Sequence, residues 1–137
     1  MQELPWPLII TACLLKGLGY AAFRGANGQK DTFRRDPSHP SVQHLSTLQT
    51  KRGTKLICSG WWGVARHINY TGDWLMGVAW CLCSGVRCVV PFFYTMYFAV
   101  LLVHREQRDD HACKLKYGKD WDKYCELVPW RLIPHVY

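Results

Sequence analysis

Residues that could bind an anionic ligand gather near the end of the chain, where an apolar segment gives way to charge. Arg105, Asp109 and Cys113 follow one another at intervals of four, so a helix would place them on one face. Guanidinium groups bind phosphate through paired hydrogen bonds, and a nearby carboxylate can orient an arginine or accept sugar hydroxyls. The same spacing is equally typical of the solvated side of an amphipathic helix.

Turn and cap residues divide this region into two helices. Gly118 suits the left-handed position just past a helix end, and Lys114 and Lys116 would lie in the last turn. Asp120 is predicted to cap a second short helix, which Pro129 closes.

A second basic stretch offers further phosphate ligands. Lys30 and Arg34 stand four residues apart, and Trp62 and Tyr70 follow in an aromatic-rich segment that also holds the carboxylate of Asp73. Aromatic rings stack on flat bases. If the two basic stretches meet, this inventory predicts a pocket for a phosphorylated nucleotide cofactor that is bound without a Rossmann fold.

The composition limits the classes of protein. The chain has 137 residues, enough for one domain, with 49% hydrophobic residues and a net charge of +7 that favours an anionic partner. Its seven cysteines are scattered without a C-x-x-C pair, which argues against a zinc ribbon or a thioredoxin-like motif and favours reduced thiols. His104 and His111 would share a helix face while Cys113 points elsewhere, so no metal site is predicted.

The first apolar stretch predicts a membrane helix. Residues 4–23 carry one charge, Lys16, and are long enough to span a bilayer. They lack a basic region before the apolar part, so a removable signal peptide is not expected. Gly17 and Gly19 match the letters of a dinucleotide fingerprint, but they lie inside an apolar helix. We interpret them as helix-packing residues.

The second apolar stretch predicts a helical hairpin. Residues 74–103 carry one charge, Arg87, and a single helix of that length would reach about 45 Å, well beyond a hydrocarbon core of about 30 Å. Residues 84–85 and Pro91 break the stretch near its middle. A hairpin also keeps both basic stretches on one side of the membrane, as the positive-inside rule prefers. The alternative is a soluble all-α domain with a buried hairpin.

We therefore predict an all-α membrane protein with one N-terminal span, a transmembrane helical hairpin, a cytosolic-face cofactor-binding loop and C-terminal helices. The boundaries are a membrane helix at residues 4–23, a cytosolic loop at 24–68, the hairpin at 69–103, and cytosolic helices with a tail at 104–137. Within the loop, residues 56–58 suit a short strand.

Ordered blocks along nearly the whole chain resemble the sterol reductase family, in particular its delta(14)-sterol reductase and lamin B receptor branch. The blocks include GANGQK at residues 25–30, SGWWG at 59–63 and LLVHR at 101–105. Further blocks lie at residues 66–73, 116–121, 124–125 and 128–131.

The resemblance implies an enzyme of sterol biosynthesis that reduces a sterol carbon–carbon double bond, most simply the delta(14) bond, with NADPH. It also implies a multi-pass protein of the endoplasmic reticulum membrane, which is continuous with the inner nuclear membrane. A sterol and the lipid bilayer are the expected partners, nucleic acid is not, and no catalytic residue is identified. The implied cofactor contacts are Lys30, Arg34, Ile57, Trp62, Asn69, Tyr70, Asp109, Cys113, Lys114, Leu115, Lys116, Tyr117 and Tyr124.

Three residues in or beside this set have simpler interpretations. Arg105 is expected to support Asp109 rather than touch the cofactor. His67 suits a hydrogen-bonded position at a helix start. Asn69 could equally be a helix cap, and only the resemblance favours a cofactor contact.

Members of the family carry several more membrane helices before this region. The chain is therefore expected to be the cofactor-binding C-terminal part of a reductase, without the helices that form much of the sterol pocket. Two other functions share part of the pattern. Isoprenylcysteine methyltransferases, which use S-adenosylmethionine, also have an Arg-His-x-x-Tyr-x-Gly segment and an apolar hairpin, and a non-enzymatic scaffold of the nuclear envelope is the third possibility.

Overall fold

The computed structural model describes residues 3–137 and is mainly helical, which confirms the helical part of the predicted class. Its elements are α1 (Trp6–Arg35), β1 (Thr47–Gln49), β2 (Lys55–Ile57), α2 (Trp61–Val64), α3 (Ile68–Cys83), α4 (Val90–Tyr117) and α5 (Lys119–Leu127). Within the described residues, α1 is the one helix whose length and composition suit a membrane crossing.

Helix α1 is longer than predicted, because it continues beyond residue 23 to Arg35. The prediction that a loop begins at residue 24 is therefore wrong. Glycines in this part of the helix lower its intrinsic propensity, but tertiary packing overrides that preference. Ala26 is fully buried, and its carbonyl accepts a hydrogen bond of 2.9 Å from the Trp62 indole.

Helices α1 and α3 approach closely at a pair of glycines. A Cβ atom built on Gly19 would lie 2.6 Å from the carbonyl oxygen of Gly72, and one built on Gly72 would lie 2.7 Å from that of Gly19. Gly19 is thus a helix-packing residue, as predicted. Gly17 is not, because a Cβ atom at that position would have no neighbouring group within 4 Å.

The break between α3 and α4 falls where the sequence predicts it. Helix α3 ends at Cys83, Gly85 takes a positive φ of 85°, and Pro91 lies in the first turn of α4. Helix α3 has 16 residues, about 24 Å at 1.5 Å per residue. Since a hydrocarbon core is about 30 Å thick, the crossing of the membrane by this hairpin stays a prediction.

The segment between α1 and α2 folds over the end of α1. Strands β1 and β2 pair antiparallel with Leu48 opposite Leu56, so the predicted strand exists and begins one residue earlier, at Lys55. A hydrophobic core forms beneath it. Its buried members are Ala26, Val42, Leu45, Ile57, Trp62, Ala65 and Ile68.

Helix α5 follows α4 directly. Gly118 has a positive φ of 59° and separates the two helices, as predicted, and α5 ends before Pro129. The prediction that Asp120 caps α5 is wrong. Its buried carboxylate instead accepts a hydrogen bond of 2.9 Å from the backbone amide of Lys51, which ties α5 to the turn between the strands.

Candidate functional site

An open cleft of about 740 Å³ lies where distant parts of the chain converge, and we refer to it as the basic cleft. Its walls come from the last turns of α1, strand β2 with the turn before it, the junction of α2 and α3, the second half of α4, and α5. The two basic stretches therefore meet, because the end of α1 and the end of α4 border the same space.

One wall of the basic cleft pairs a cation with a buried ring. The ammonium of Lys30 lies 4.7 Å from the centroid of the Trp62 ring. Trp62 is only 6% exposed, and its indole is fixed by the hydrogen bond to Ala26. The flat ring and the charge above it are thus held in a defined arrangement, while Arg34, one turn further along α1, remains exposed.

A second wall links α3 to α4 through Tyr70. Its hydroxyl donates a hydrogen bond of 2.7 Å to Asp109, and its ring stacks on His67 at 4.9 Å between centroids. The guanidinium carbon of Arg105 lies 5.2 Å from the Tyr70 ring. Arg105 therefore supports Asp109 through Tyr70, a route that the sequence did not indicate.

The third wall is formed by α5 and the residue before His67. Arg66 is buried, and its guanidinium carbon lies 5.9 Å from the Trp121 ring. The Trp121 indole donates a hydrogen bond of 2.9 Å to Asp110. Tyr124 packs against Trp121, and burial raises the pKa of its hydroxyl. The third wall is therefore a neutral aromatic surface with the Arg66 guanidinium beside it.

Several polar atoms of the lining have no partner in the described part of the chain. The buried atoms are Arg66 Nε, His67 Nε2 and Asn69 Oδ1. A buried polar atom without a hydrogen bond costs about 1–3 kcal/mol. These unpartnered atoms are thus concentrated around one cleft.

All of the predicted site residues line the basic cleft except Lys114 and Leu115. Residues 113, 116 and 117 share a face of α4, so the two residues between them point away, and Leu115 is 76% exposed. Burial and the Asp109 carboxylate raise the pKa of the Cys113 thiol, which keeps it protonated and apolar at neutral pH. Asp73 does not line the cleft either.

His67 lies at the start of α3 as its N-cap residue, as predicted. Its side chain makes no capping hydrogen bond, so the predicted hydrogen-bonded role is not found within residues 3–137. Asn69 is therefore not a cap; its amide donates a hydrogen bond of 3.2 Å to the side chain of Asn27 on α1.

Sequence reasoning missed part of the lining. Arg66 and Trp121 are both buried at the cleft, yet each was assigned only to a family motif. Trp121 stands three residues before Tyr124 in α5, a helical spacing that places the two side chains on one face. Thr54 and Lys55 enter the lining through the strand pairing and carried no sequence signal.

The orientation of α4 predicts different effects for two of its lysines. Replacing Lys116, which lines the basic cleft, with methionine should weaken the binding of a phosphorylated cofactor about 10-fold, the equivalent of about 1.4 kcal/mol. The same change at exposed Lys114 should alter affinity less than about 2-fold. Titration calorimetry of both variants checks this. Equal losses at the two positions would contradict the observed helix orientation.

The burial of His67 predicts that the stability of the folded protein depends on pH. Burial lowers its pKa to about 4, although Asp109 opposes the shift. In the unfolded chain a histidine titrates near 6.5. The unfolded state therefore takes up the proton first, and stability is lost as the pH falls from about 6.5 to about 4, by about 2–3 kcal/mol.

Unfolding midpoints of the His67→Gln variant and of the parent chain between pH 8 and pH 4 test this prediction. The variant should lose less stability than the parent as the pH falls. His111→Gln, an exposed change on α4, should follow the parent. An unchanged slope for His67→Gln would show that His67 is not held neutral by burial.

Comparison with known proteins agrees with the resemblance to the sterol reductase family. Residues 1–137 match the model of the ergosterol biosynthesis ERG4/ERG24 family. Delta(14)-sterol reductase erg24 of Schizosaccharomyces pombe is 62% identical over 123 residues, covering 90% of this chain and 29% of that protein. Delta(14)-sterol reductase TM7SF2 of Mus musculus is 53% identical over 136 residues, 99% of this chain and 32% of that protein.

Delta(14)-sterol reductase LBR of Gallus gallus is 47% identical over 125 residues, which cover 91% of this chain and 20% of that protein. The chain spans less than a third of the length of these curated relatives.

Proposed function

We propose that this chain, which belongs to the ergosterol biosynthesis ERG4/ERG24 family, forms the NADPH-binding part of a sterol reductase that reduces the delta(14) double bond of a sterol. The delta(14) position rests on the names of the relatives. The observation that carries the cofactor assignment is the basic cleft, where cations and aromatic rings from distant segments converge.

The residues of the basic cleft fit a dinucleotide with several phosphates. Five cationic side chains line it: Lys30, Arg34, Lys55, Arg66 and Lys116. Arginine offers paired donors to phosphate, and lysine offers a point charge. The extra phosphate that distinguishes NADPH from NADH favours such a surplus of cations. Buried Arg66 Nε and His67 Nε2 lack partners within the described residues, and a ligand rich in oxygen atoms satisfies such groups.

The chain contributes binding and orientation. Bound NADPH supplies the hydride for the reduction. Lys30 and Arg34 hold phosphate groups, while Trp62 and Tyr124 give the cleft an aromatic lining. Tyr70 stays in one position because Asp109, His67 and Arg105 hold it from three directions. A preformed site of this kind reduces the entropy lost when the cofactor binds.

The membrane arrangement follows from the same proposal. Helix α1 and the α3–α4 hairpin cross the endoplasmic reticulum membrane, and the basic cleft lies at its cytosolic face. The sterol reaches the enzyme from the bilayer. The sterol pocket is completed by segments outside residues 1–137, since this chain covers less than a third of the length of its relatives.

A binding assay with two labelled cofactors tests the cofactor assignment. The chain, extended to the full length of its relatives, should retain tritiated NADPH in detergent and should not retain labelled S-adenosylmethionine. Unlabelled NADPH should displace the label more effectively than NADH. Retention of S-adenosylmethionine alone would replace the reductase assignment by a methyltransferase one.

Complementation of a cell that lacks delta(14)-sterol reductase tests the reaction. The extended protein should restore sterol synthesis, and residues 1–137 alone should not. Rescue by the short chain would contradict the need for further membrane segments.

A further inference from the structure

The last residues of the chain fold back onto the segment that enters α3, and we refer to residues 129–137 as the C-terminal strap. The carbonyl of Trp130 accepts a hydrogen bond of 2.9 Å from the Arg66 amide, and that of Arg131 accepts one of 2.9 Å from the His67 amide. The hydroxyl of Thr71 donates to the carbonyl of Leu132 at 2.5 Å. The strap thus holds the backbone that carries His67, and through it the neighbouring cleft residues.

The C-terminal strap is closed on itself. The backbone oxygen of Tyr137 accepts hydrogen bonds from the amides of Arg131, at 2.6 Å, and Leu132, at 2.8 Å. The Arg131 guanidinium carbon lies 5.6 Å from the Tyr137 ring. The C-terminal strap and the Tyr137 ring therefore form one compact unit.

Two carboxylates on α4 fasten this unit: Asp110 lies 4.0 Å from the Arg131 guanidinium, and Glu106 is the closer of the two. The Glu106 side chain is fully buried and lies 3.4 Å from both the Arg131 guanidinium and the Tyr137 hydroxyl. Its other carboxylate oxygen has no partner among the described residues. Burial raises the pKa of Glu106 in spite of the nearby arginine. Burying a carboxylate costs free energy. We therefore attribute the role of Glu106 to the groups that it binds.

Glu106 does not line the basic cleft. Two hydrogen-bonded routes nevertheless connect α4 to the entry segment of α3. One contact is direct, from Asp109 to Tyr70 at 2.7 Å. The other runs from Glu106 through the C-terminal strap to the amides of Arg66 and His67. These two routes hold the segment at the Tyr70 hydroxyl and at the backbone amides of Arg66 and His67.

We infer that Glu106 is a positioning residue for the basic cleft, because it anchors the C-terminal strap through Arg131 and Tyr137 and the strap fixes the segment carrying Arg66, His67 and Tyr70. The inference deepens the proposed function and rests on it, since the positioned residues are those assigned to the cofactor. Glu106 acts through these groups and has no contact with the cofactor.

Hydrogen exchange and cofactor affinity together test the inference in the full-length protein. Glu106→Ala removes the oxygen that accepts both hydrogen bonds and should speed exchange of the Arg66 and His67 amides about 10-fold or more. It should raise the dissociation constant for NADPH by a similar factor. Glu106→Gln keeps an acceptor at the same place and should recover most of both losses. Gln107→Ala, at the exposed neighbouring position, should change neither.

Tyr137→Phe provides a second test that removes a single hydroxyl, and it serves if Glu106→Ala does not fold. It should speed exchange at the same two amides by a smaller factor. Unchanged exchange in both variants would overturn the inference. A lower thermal midpoint for Glu106→Ala with an unchanged NADPH affinity would also overturn it, because the role would then be structural only. Failure of the unsubstituted protein to bind NADPH would instead refute the proposed function, and the exchange rates still decide whether Glu106 holds the strap.

Discussion

Reversing the charge at Lys30 should weaken NADPH binding about 100-fold or more. The Lys30→Glu variant loses the cation that stands over Trp62 in the basic cleft and places a carboxylate near the phosphate groups of the cofactor. A hydrogen bond to a charged group contributes about 1.5–3 kcal/mol, and repulsion between like charges adds to its loss. Since about 1.4 kcal/mol corresponds to a factor of ten in affinity, two orders of magnitude is the expected loss. Equilibrium binding of labelled NADPH measures it.

Arg35→Glu is the matched control. It makes the same change in charge on the same helix, but Arg35 lies outside the cleft in an exposed pair with Asp31 at 3.3 Å. Exposed ion pairs contribute little, so affinity should change less than about 3-fold. Comparable losses in the two variants would indicate a general electrostatic effect of net charge and would count against a phosphate contact at Lys30.

Replacing Gly19 with alanine should destabilise the packing of α1 on α3 by about 1–3 kcal/mol, the usual cost of forcing an extra methyl group into a packed contact. The new Cβ would lie 2.6 Å from the carbonyl oxygen of Gly72 and 3.0 Å from the backbone amide nitrogen of Met76. Backbone atoms cannot rotate away as a flexible side chain can, so the two helices must separate. Thermal unfolding of the purified protein in detergent measures the loss.

Gly17→Ala is the control within the same helix. No neighbouring group lies within 4 Å of the position that its Cβ would take. Alanine favours a helix over glycine by up to about 1 kcal/mol, so this variant should be as stable as the parent or slightly more stable. A loss at Gly17 equal to that at Gly19 would mean that helix α1 packs through a different face.

The helical framework was largely predictable, because its signals are local. Gly118 and Pro129 mark helix ends by their own backbone preferences, and Pro91 with Gly85 marks the turn of the hairpin. The end of α1 was not predictable in this way. The residues after Phe23 have weak helix propensity, and they stay helical because Ala26 is buried under Trp62, which is distant in the sequence.

The site was predicted in outline and not in detail. Helical spacing places Asp109 and Cys113 on one face, and the structure confirms that both line the basic cleft. Lys114 and Leu115 were predicted as cofactor contacts because they fall within a continuous family motif. Consecutive residues of a helix point in different directions, so a continuous motif does not identify the face that lines a cleft. The predicted capping role of Asp120 was wrong for a different reason, because its partner, Lys51, is distant in the sequence and lies in the strand hairpin.

Contacts that depend on long-range folding carried no sequence signal. Glu106 looked like one more charge in the run after the apolar segment, yet it is fully buried against the C-terminal strap. No local pattern distinguishes a buried glutamate from a solvated one. The difference arises only when residues 131 and 137 fold back onto α4.

The most direct test of the central claim is an electron cryo-microscopy map of the full-length protein containing this chain, recorded with and without NADPH. We predict cofactor density in the basic cleft, with a phosphate group beside Lys30 and a ring beside the aromatic residues of the lining, Trp62, Tyr70 and Tyr124. Cofactor density elsewhere, with the basic cleft unchanged between the two maps, would contradict the account.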